Sequence, residues 1–348
     1  MKHSPALLLL TAVCEVALAH APVTTTVQFD REVVRILDNH CVMCHEEKGA
    51  AFPLVTYEQT YAARWKIRQD VMARHMAPWA AVAGYGDFIN RNDLTQREID
   101  FLVSWAESFG PRNNGGVYTG VAATTSAPKV IQAHFDPDRW TLGKPDATLT
   151  VPATPRAVLD PKLTSDRWLR GLEYKPGDRQ VAHAVSFTIQ ETGEWLGSWT
   201  PWYGFVSLPK GLAYKLPARC HIIAEPAAAR GSLGLYFADR APQRAVTHFS
   251  VVGRKTLDAD TNILSLQPEL SPGLQSIEVA ARAPNGATRI LLFAKDIPMD
   301  WPTPYVLRKA VSLPKGTELT VTQHYATGAS APAAGTPVRF SAYAGAAQ

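Results

Sequence analysis

Residues 41–45 read Cys41-Val42-Met43-Cys44-His45. Two thiols three positions apart with an imidazole directly after the second form the spacing that attaches haem c. The thiols add to the vinyl groups, and the imidazole lies beneath the iron as proximal ligand. Such a site needs a helix to deliver the cysteines and a sixth ligand on the far side of the iron. Upstream, Val33, Val34, Ile36 and Leu37 recur at helical spacing, which predicts an amphipathic helix over residues 29–40. Downstream, residues 72–79 read Met72-Ala73-Arg74-His75-Met76-Ala77-Pro78-Trp79. His/Met pairing is the usual choice for electron transfer, and Met76 is the expected ligand because Pro78 and Trp79 stiffen its loop. Met72, one turn earlier, is expected to pack in the core. His75 is the rival ligand, and would lower the reduction potential that Met raises. Thr95 and Glu98 form a capping box for a further helix whose apolar stripe is Ile99, Leu102, Val103 and Ala106, stopped by Gly110-Pro111.

With these residues in view, residues 29–110 resemble a single-haem class I cytochrome c domain. The stretch FDREVVRILDNHCVMCHEEKGAAFPLVTYEQTYAARWKIRQDVMARHMAPW is similar to bacterial members whose distal ligand lies in a Met-Pro-Pro-Trp loop, with Ala77 here in place of the first proline. The resemblance implies Cys41 and Cys44 as covalent anchors and His45 and Met76 as axial ligands of one haem c.

The N-terminus has the pattern of an export signal. Lys2 and His3 precede the apolar run 6–13, too short to span a bilayer, and Ala17-Leu18-Ala19 offers a cleavage site. Haem c is attached outside the cytoplasm, so the expected address is the periplasm, with no transmembrane segment in the mature chain. Of four cysteines, Cys14 leaves with the signal and Cys41 and Cys44 hold haem. Cys220 is left alone, expected as a small buried hydrophobe. The formal net charge is +4, and removing Lys2 with Glu15 leaves it unchanged. No Lys/Arg cluster points to nucleic acid. No carboxylate pair, phosphate-cradling glycine loop or nucleophile motif points to a hydrolase or kinase.

Residues 111–129, rich in Gly, Asn, Thr and Ser, read as a linker. Beyond it come short β-branched runs between Pro, Gly and Asp: ATLTVPAT, AHAVSFTI, SLGLYFA, THFSVV, QSIEVAA, RILLFA and ELTVTQHY. This spacing predicts an all-β sandwich or jelly-roll assembly. Val-Ser-Leu-Pro-Lys-Gly occurs at both Val206 and Val311, a hint of two related β-domains.

The phrases WTLGKPDATLTVP, DRWLRGLEYKPGDRQVAHAVSF, LPARCHIIAE, GSLGLYF, ILLFAKDIPMDWPTPYVL and LPKGTELTVTQHYATG resemble the copper type II, ascorbate-dependent monooxygenase family, over roughly residues 134–340. Peptidylglycine and dopamine monooxygenases belong to it. The resemblance implies two jelly-roll domains, each carrying copper in the active members. The implied ligands are missing here. The first site's His-His pair reads His183-Ala184, its third His falls at Ala227, and the second site's His-x-His falls at Glu269-Leu270-Ser271. No Met follows Met299. One surviving imidazole, His183, does not hold a catalytic copper, so copper is not expected. His20 would become the N-terminal residue after cleavage, where an α-amine and imidazole chelate copper together. His183 and His20 are therefore the candidate copper residues. His134, His221, His248 and His324 are scattered, and a site from Cys220, His221 and His248 is an open alternative. The aromatic run 195–205 is expected to pack beneath a long loop; a face toward the haem unit or another protein is the alternative.

The expectation is a multidomain chain: an α-helical cytochrome c domain followed by all-β jelly-roll or sandwich domains. Its parts are signal peptide 1–19, monohaem domain 20–110, linker 111–129 and β-sandwiches 130–255 and 256–348. The expected function is one-electron transfer through the haem, with the copper-less β-module as scaffold or docking surface in a redox assembly, whose partner proteins would supply any membrane association. Two alternatives stand beside it. One is a haem-coupled copper monooxygenase, and the other is a copper-binding protein using His20.

Overall fold

The structure, a computed structural model, describes residues 25–49, 51–113, 131–134, 136, 141–177, 184–225, 230–329 and 332–345. These are mostly β-sheet in a jelly-roll-like arrangement, with a few helices at the N-terminal end. No helix among them is long and apolar enough to cross a membrane.

The helical unit begins with a π turn, Phe29–Val33, that runs into α1, Val34–His40. The helix anticipated over 29–40 is present with its first turn widened into a π turn. Next come α2, Tyr57–Ala62, α3, Arg64–Met72, and α4, Gln96–Glu107. The Thr95 capping box forms: Thr95 Oγ1 accepts from the Glu98 N–H at 3.3 Å, and Glu98 Oε2 accepts from the Thr95 N–H at 2.8 Å. These bonds satisfy orphan donors of the first turn. The buried stripe of α4 is Ile99, Leu102, Trp105 and Ala106. Trp105 takes the place anticipated for Val103, because its ring fills the core and its Nε1 donates to Pro111 O at 3.0 Å. Pro111 and Arg112, the first residues of the anticipated linker, accept from the Phe29 and Asp30 amides at 2.9 and 3.0 Å. Residues 114–130 lie outside the described residues.

The β part is two sandwiches that share one sheet. Its strands are β1 Ala147–Val151, β2 Ala157–Leu159, β3 Arg167–Pro176, β4 Val185–Ile189, β5 Trp195–Trp199, β6 Phe205–Ser207, β7 Leu212–Leu216, β8 Ile222–Glu225, β9 Gly231–Phe237, β10 Arg244–Val251, β11 Arg254–Thr256, β12 Thr261–Pro268, β13 Leu274–Arg282, β14 Thr288–Lys295, β15 Tyr305–Leu313, β16 Glu318–Tyr325 and β17 Val338–Ala344. The nine-stranded sheet has the order β1-β9-β3-β7-β10-β17-β12-β15, with β6 on β3. Its first half packs on the β2-β8-β4-β5 sheet through Leu169, Phe187, Ile222 and Leu233; its second half packs on β11-β16-β13-β14 through Ile263, Ile277, Leu292 and Phe340. The halves join by the parallel pair β7–β10, Ala213 opposite Ala245. Thus β10, which precedes residue 255, is hydrogen-bonded to β17 of the second half.

The repeated hexapeptide builds the same turn twice. Leu212 N–H donates to Pro209 O at 3.1 Å, and Thr317 N–H donates to Pro314 O at 3.1 Å. Gly211 and Gly316 occupy the third turn position at φ +87° and +83°, a conformation that favours glycine.

A strap ties the helical unit to the second sandwich. After α3 the chain runs along the edge strand β14, with Val82 N–H to Phe293 O at 2.8 Å and Lys295 N–H to Ala80 O at 3.0 Å. It then crosses to β15, the edge of the large sheet, with Ile89 N–H to Val306 O at 2.9 Å and Arg308 N–H to Asp87 O at 2.8 Å. Trp79, Ala80, Ala81 and Phe88 sit inside the second sandwich's core. Two open sheet edges are thereby covered.

Candidate functional site

Where α1 ends, the chain makes one more turn through the Cys-x-x-Cys-His segment. The Cys44 and His45 amides both donate to Cys41 O, at 3.0 and 2.9 Å. On this turn Cys41 and Cys44, neither in a disulfide, stand three positions apart, a spacing that makes side chains neighbours. Val42 and Met43 point inward and are buried. His45 is also buried, and its Nδ1 lies 2.7 Å from Phe52 O. That carbonyl can only accept, so Nδ1 carries the hydrogen and Nε2 keeps its lone pair. A metal-ligating imidazole is oriented in this way. Burial lowers the His45 pKa, against the Phe52 carbonyl and the Asp70 carboxylate, and holds the ring in its neutral, ligating form. Burial, with Cys44 and Glu98 adding to it, pushes the Cys41 thiol up to about 12. Two thiols and one neutral imidazole on a single turn fit a covalently attached haem.

The segment holding Met76 follows α3. The His75 and Met76 amides both converge on Asp70 O, at 2.9 and 3.4 Å. Met76 is 38% exposed, and it lines a cavity of about 300 Å³ with Trp79, Leu94, Ile99 and Lys295. Met72 is 53% exposed at the end of α3 and does not pack in the core as anticipated; the buried face of α3 is Ile67 and Val71. His75 is exposed. The loop's stiffness has a source beyond Pro78: Trp79, three residues after Met76, meets Phe88 and Tyr305 at centroid distances of 5.9 and 5.1 Å.

The aromatic run 195–205 divides between two jobs. Trp199 belongs to the first sandwich core, whereas Trp202 and Tyr203 cluster with Met43 of the Cys-x-x-Cys-His segment. Cys44, Phe205 and Trp301 pack around that cluster. For Trp202 and Tyr203 the face toward the helical unit therefore displaces the anticipated loop packing. Trp202 Nε1 is buried with no hydrogen-bond partner among the described residues.

Of the positions expected at the copper sites, Ala184, Glu269 and Leu270 line one cleft of about 220 Å³, together with Glu225, Gln267 and Arg339. Arg339 Nη2 and Nε reach Glu269 Oε1 at 2.7 and 2.9 Å. A guanidinium thus pairs with Glu269, the first residue of the segment expected at the second copper position. His183, His20 and Ala227 lie outside the described residues. Among the described residues no three His, Cys, Asp or Glu side chains are placed to hold a metal ion. His221 Nδ1 pairs with Glu191 at 2.7 Å and His248 Nδ1 lies 3.3 Å from Glu194, while Cys220 is buried in the first sandwich core. Burial raises the Cys220 thiol to about 11. His324 is exposed on β16, and the His134 amide donates to Asp38.

Sequence reasoning missed the strap. Its residues 79–90 carry no strand-like run, and their partners lie more than 200 positions away.

No protein-family model matches the chain, and no curated protein matches it. Among solved structures it is similar to the major capsid protein P2 of bacteriophage PM2, at 11% identity over 58% of this chain and 98% of that one, TM-score 0.25. It is similar to a glycoside hydrolase 29 family member from a rumen bacterium, at 11% identity over 51% of this chain and 40% of that one, TM-score 0.18. Bacillus subtilis oxalate decarboxylase matches at 9% identity over 59% of this chain and 74% of that one, TM-score 0.15. With TM-scores this low, none of these likenesses bears on what the chain does.

Proposed function

We propose that this chain is an exported c-type electron carrier: a cytochrome c-like helical unit on a β-module that serves as scaffold and docking surface in a periplasmic redox assembly. The observation that carries this reading is the His45 Nδ1 bond to Phe52 O, which leaves Nε2 free beside two thiols on the same turn. Cys41 and Cys44 would hold the haem by thioether bonds, and His45 and Met76 would ligate its iron. Haem c in this setting supplies a one-electron couple at its iron. The chain's own part is to keep the ligands fixed so that little reorganises when the charge changes. Burial keeps His45 neutral, and the Trp79 strap anchors the loop that presents Met76. The β-module's Trp202 and Tyr203 cover Met43 and exclude water from that side of the motif.

The resemblance to copper monooxygenases accounts for the two-sandwich architecture, while Arg339 paired with Glu269 at the place of a copper ligand set favours the carrier over the enzyme. The test is to mature the full chain in a host competent for haem c attachment, then denature it. Covalent haem, read by the pyridine haemochrome spectrum and by the mass of the intact chain, is the expected result, abolished by Cys41→Ser with Cys44→Ser. A chain that leaves the same host without covalent haem sinks the reading.

A further inference from the structure

A cavity of about 630 Å³ lies on the seam of the two sandwiches; Ser198 stands between it and the cleft that holds Arg339 and Glu269, lining both. An irregularity of β15 opens it. Against β12, Val311 faces Ile263 and Val306 faces Ser265, so residues 307–310 stand opposite Leu264 alone. Bulges of this kind re-aim side chains and recur beside binding sites. Here the bulge sends Leu264 across the seam into the first sandwich core and brings Arg308 and Lys309 to the cavity wall. The strap braces the bulge from outside through Asp87, whose carboxylate lies 3.1 Å from Arg308 Nε.

The lining has a consistent chemistry. Trp195, Tyr203, Phe205, Tyr214, Leu264 and Tyr343 make a mainly apolar enclosure. Its volume falls within the ordinary range for small-molecule sites. Tyr214 Oη and Ser341 Oγ hydrogen-bond each other, so the deep wall offers little to a second polar group. The lining holds two cations, Arg308 and Lys309, and no carboxylate. Arg308 is neutralised by Asp87, whereas Lys309 has no carboxylate within ion-pair distance among the described residues. An uncompensated ammonium at the edge of an aromatic enclosure selects an apolar body with a negative end.

We propose that this cavity binds an apolar small molecule carrying a single carboxylate, its body among the aromatic rings and its carboxylate on Lys309. The site stands apart from the haem reading, since its occupancy requires no haem.

Isothermal titration calorimetry of the full chain with decanoate, and separately with 1-decanol, tests it. Saturable one-site binding of decanoate is expected. Lys309→Gln, on the exposed side of β15, should weaken decanoate about five-fold, the scale of one partly exposed ion pair, and leave 1-decanol unchanged. Ala310→Trp should fill the cavity and remove both ligands. Ser207→Trp, on the short strand β6, fills it from another side should the first variant fail to fold. The proposal is overturned if the unaltered chain shows no saturable decanoate binding, if binding survives the filled cavity, or if Lys309→Gln weakens decanoate no more than 1-decanol.

Discussion

The Trp79 indole meets the Tyr305 ring edge-on, with centroids 5.1 Å apart, although 226 residues separate them in the chain. This contact joins the loop that presents Met76 to the core of the second sandwich. Trp79→Ala would leave a hole that Phe88 and Tyr305 cannot close, because both are buried and held by strand pairing. A loss of about 3–5 kcal/mol is expected in urea unfolding. In the haem-loaded protein, Trp79→Phe should preserve most of the stability.

Under the proposed ligation, Met76→Ala should remove the weak near-infrared band of a Met–iron bond, while Met72→Ala and His75→Ala should keep it. Loss of the band in Met72→Ala instead would move the ligand one turn back along α3.

Elemental analysis of haem-loaded protein purified with copper present should return one iron and no stoichiometric copper. The expectation rests on Arg339, whose charge would repel a copper ion from Glu269. One or two coppers per iron would make oxygen-dependent hydroxylation the function to pursue.

Glu173 sets an acid limit. Burial on its own would raise this carboxyl, but the Leu142 amide at 2.8 Å, Lys175 at 3.0 Å and the Tyr236 hydroxyl at 2.8 Å outweigh it and hold its pKa below the ordinary range. A carboxylate with a depressed folded-state pKa stabilises fully above its unfolded value, about 4.3 for glutamate, and that contribution is lost as pH falls through the folded value. Stability should therefore drop in this acid window, and Glu173→Gln should flatten the drop. At pH 7 the same change is expected to cost about 1–3 kcal/mol, since four donors, the Thr141 hydroxyl at 3.2 Å included, lose a charged acceptor. Denaturant titrations from pH 3 to 7 read both effects.

The twin turns predict matched penalties. Gly211→Ala and Gly316→Ala each force a side chain into a left-handed conformation, about 1–2 kcal/mol apiece. The added Cβ would meet Gln243 Oε1 at 3.0 Å in one turn and Pro284 Cγ at 3.2 Å in the other. Thermal unfolding of both variants checks the parallel.

Much of this architecture was legible locally. Residues 318–325 became β16 because β-branched and apolar residues alternate there, and the Thr95 box announced α4. The His45 segment was legible because its chemistry is fixed by adjacent residues. What was not legible depends on distant partners. Trp79 and Phe88 look like loop aromatics until β14 and β15 are beside them, and Trp105 was passed over for Val103 because spacing alone does not weigh ring size. Likewise Trp202 and Tyr203 join Met43 only through the fold, and the bulge at 307–310 leaves no mark in an otherwise regular strand.

The strap has a consequence for how such a chain can be divided. A cut at the end of the helical unit would carry away Trp79 and Phe88 and leave a gap in what remains, while the released piece would expose the same two rings to water. Two segments that look like beads on a string in the sequence are therefore interlocked pieces, and neither can be lent to another protein without taking part of its neighbour with it.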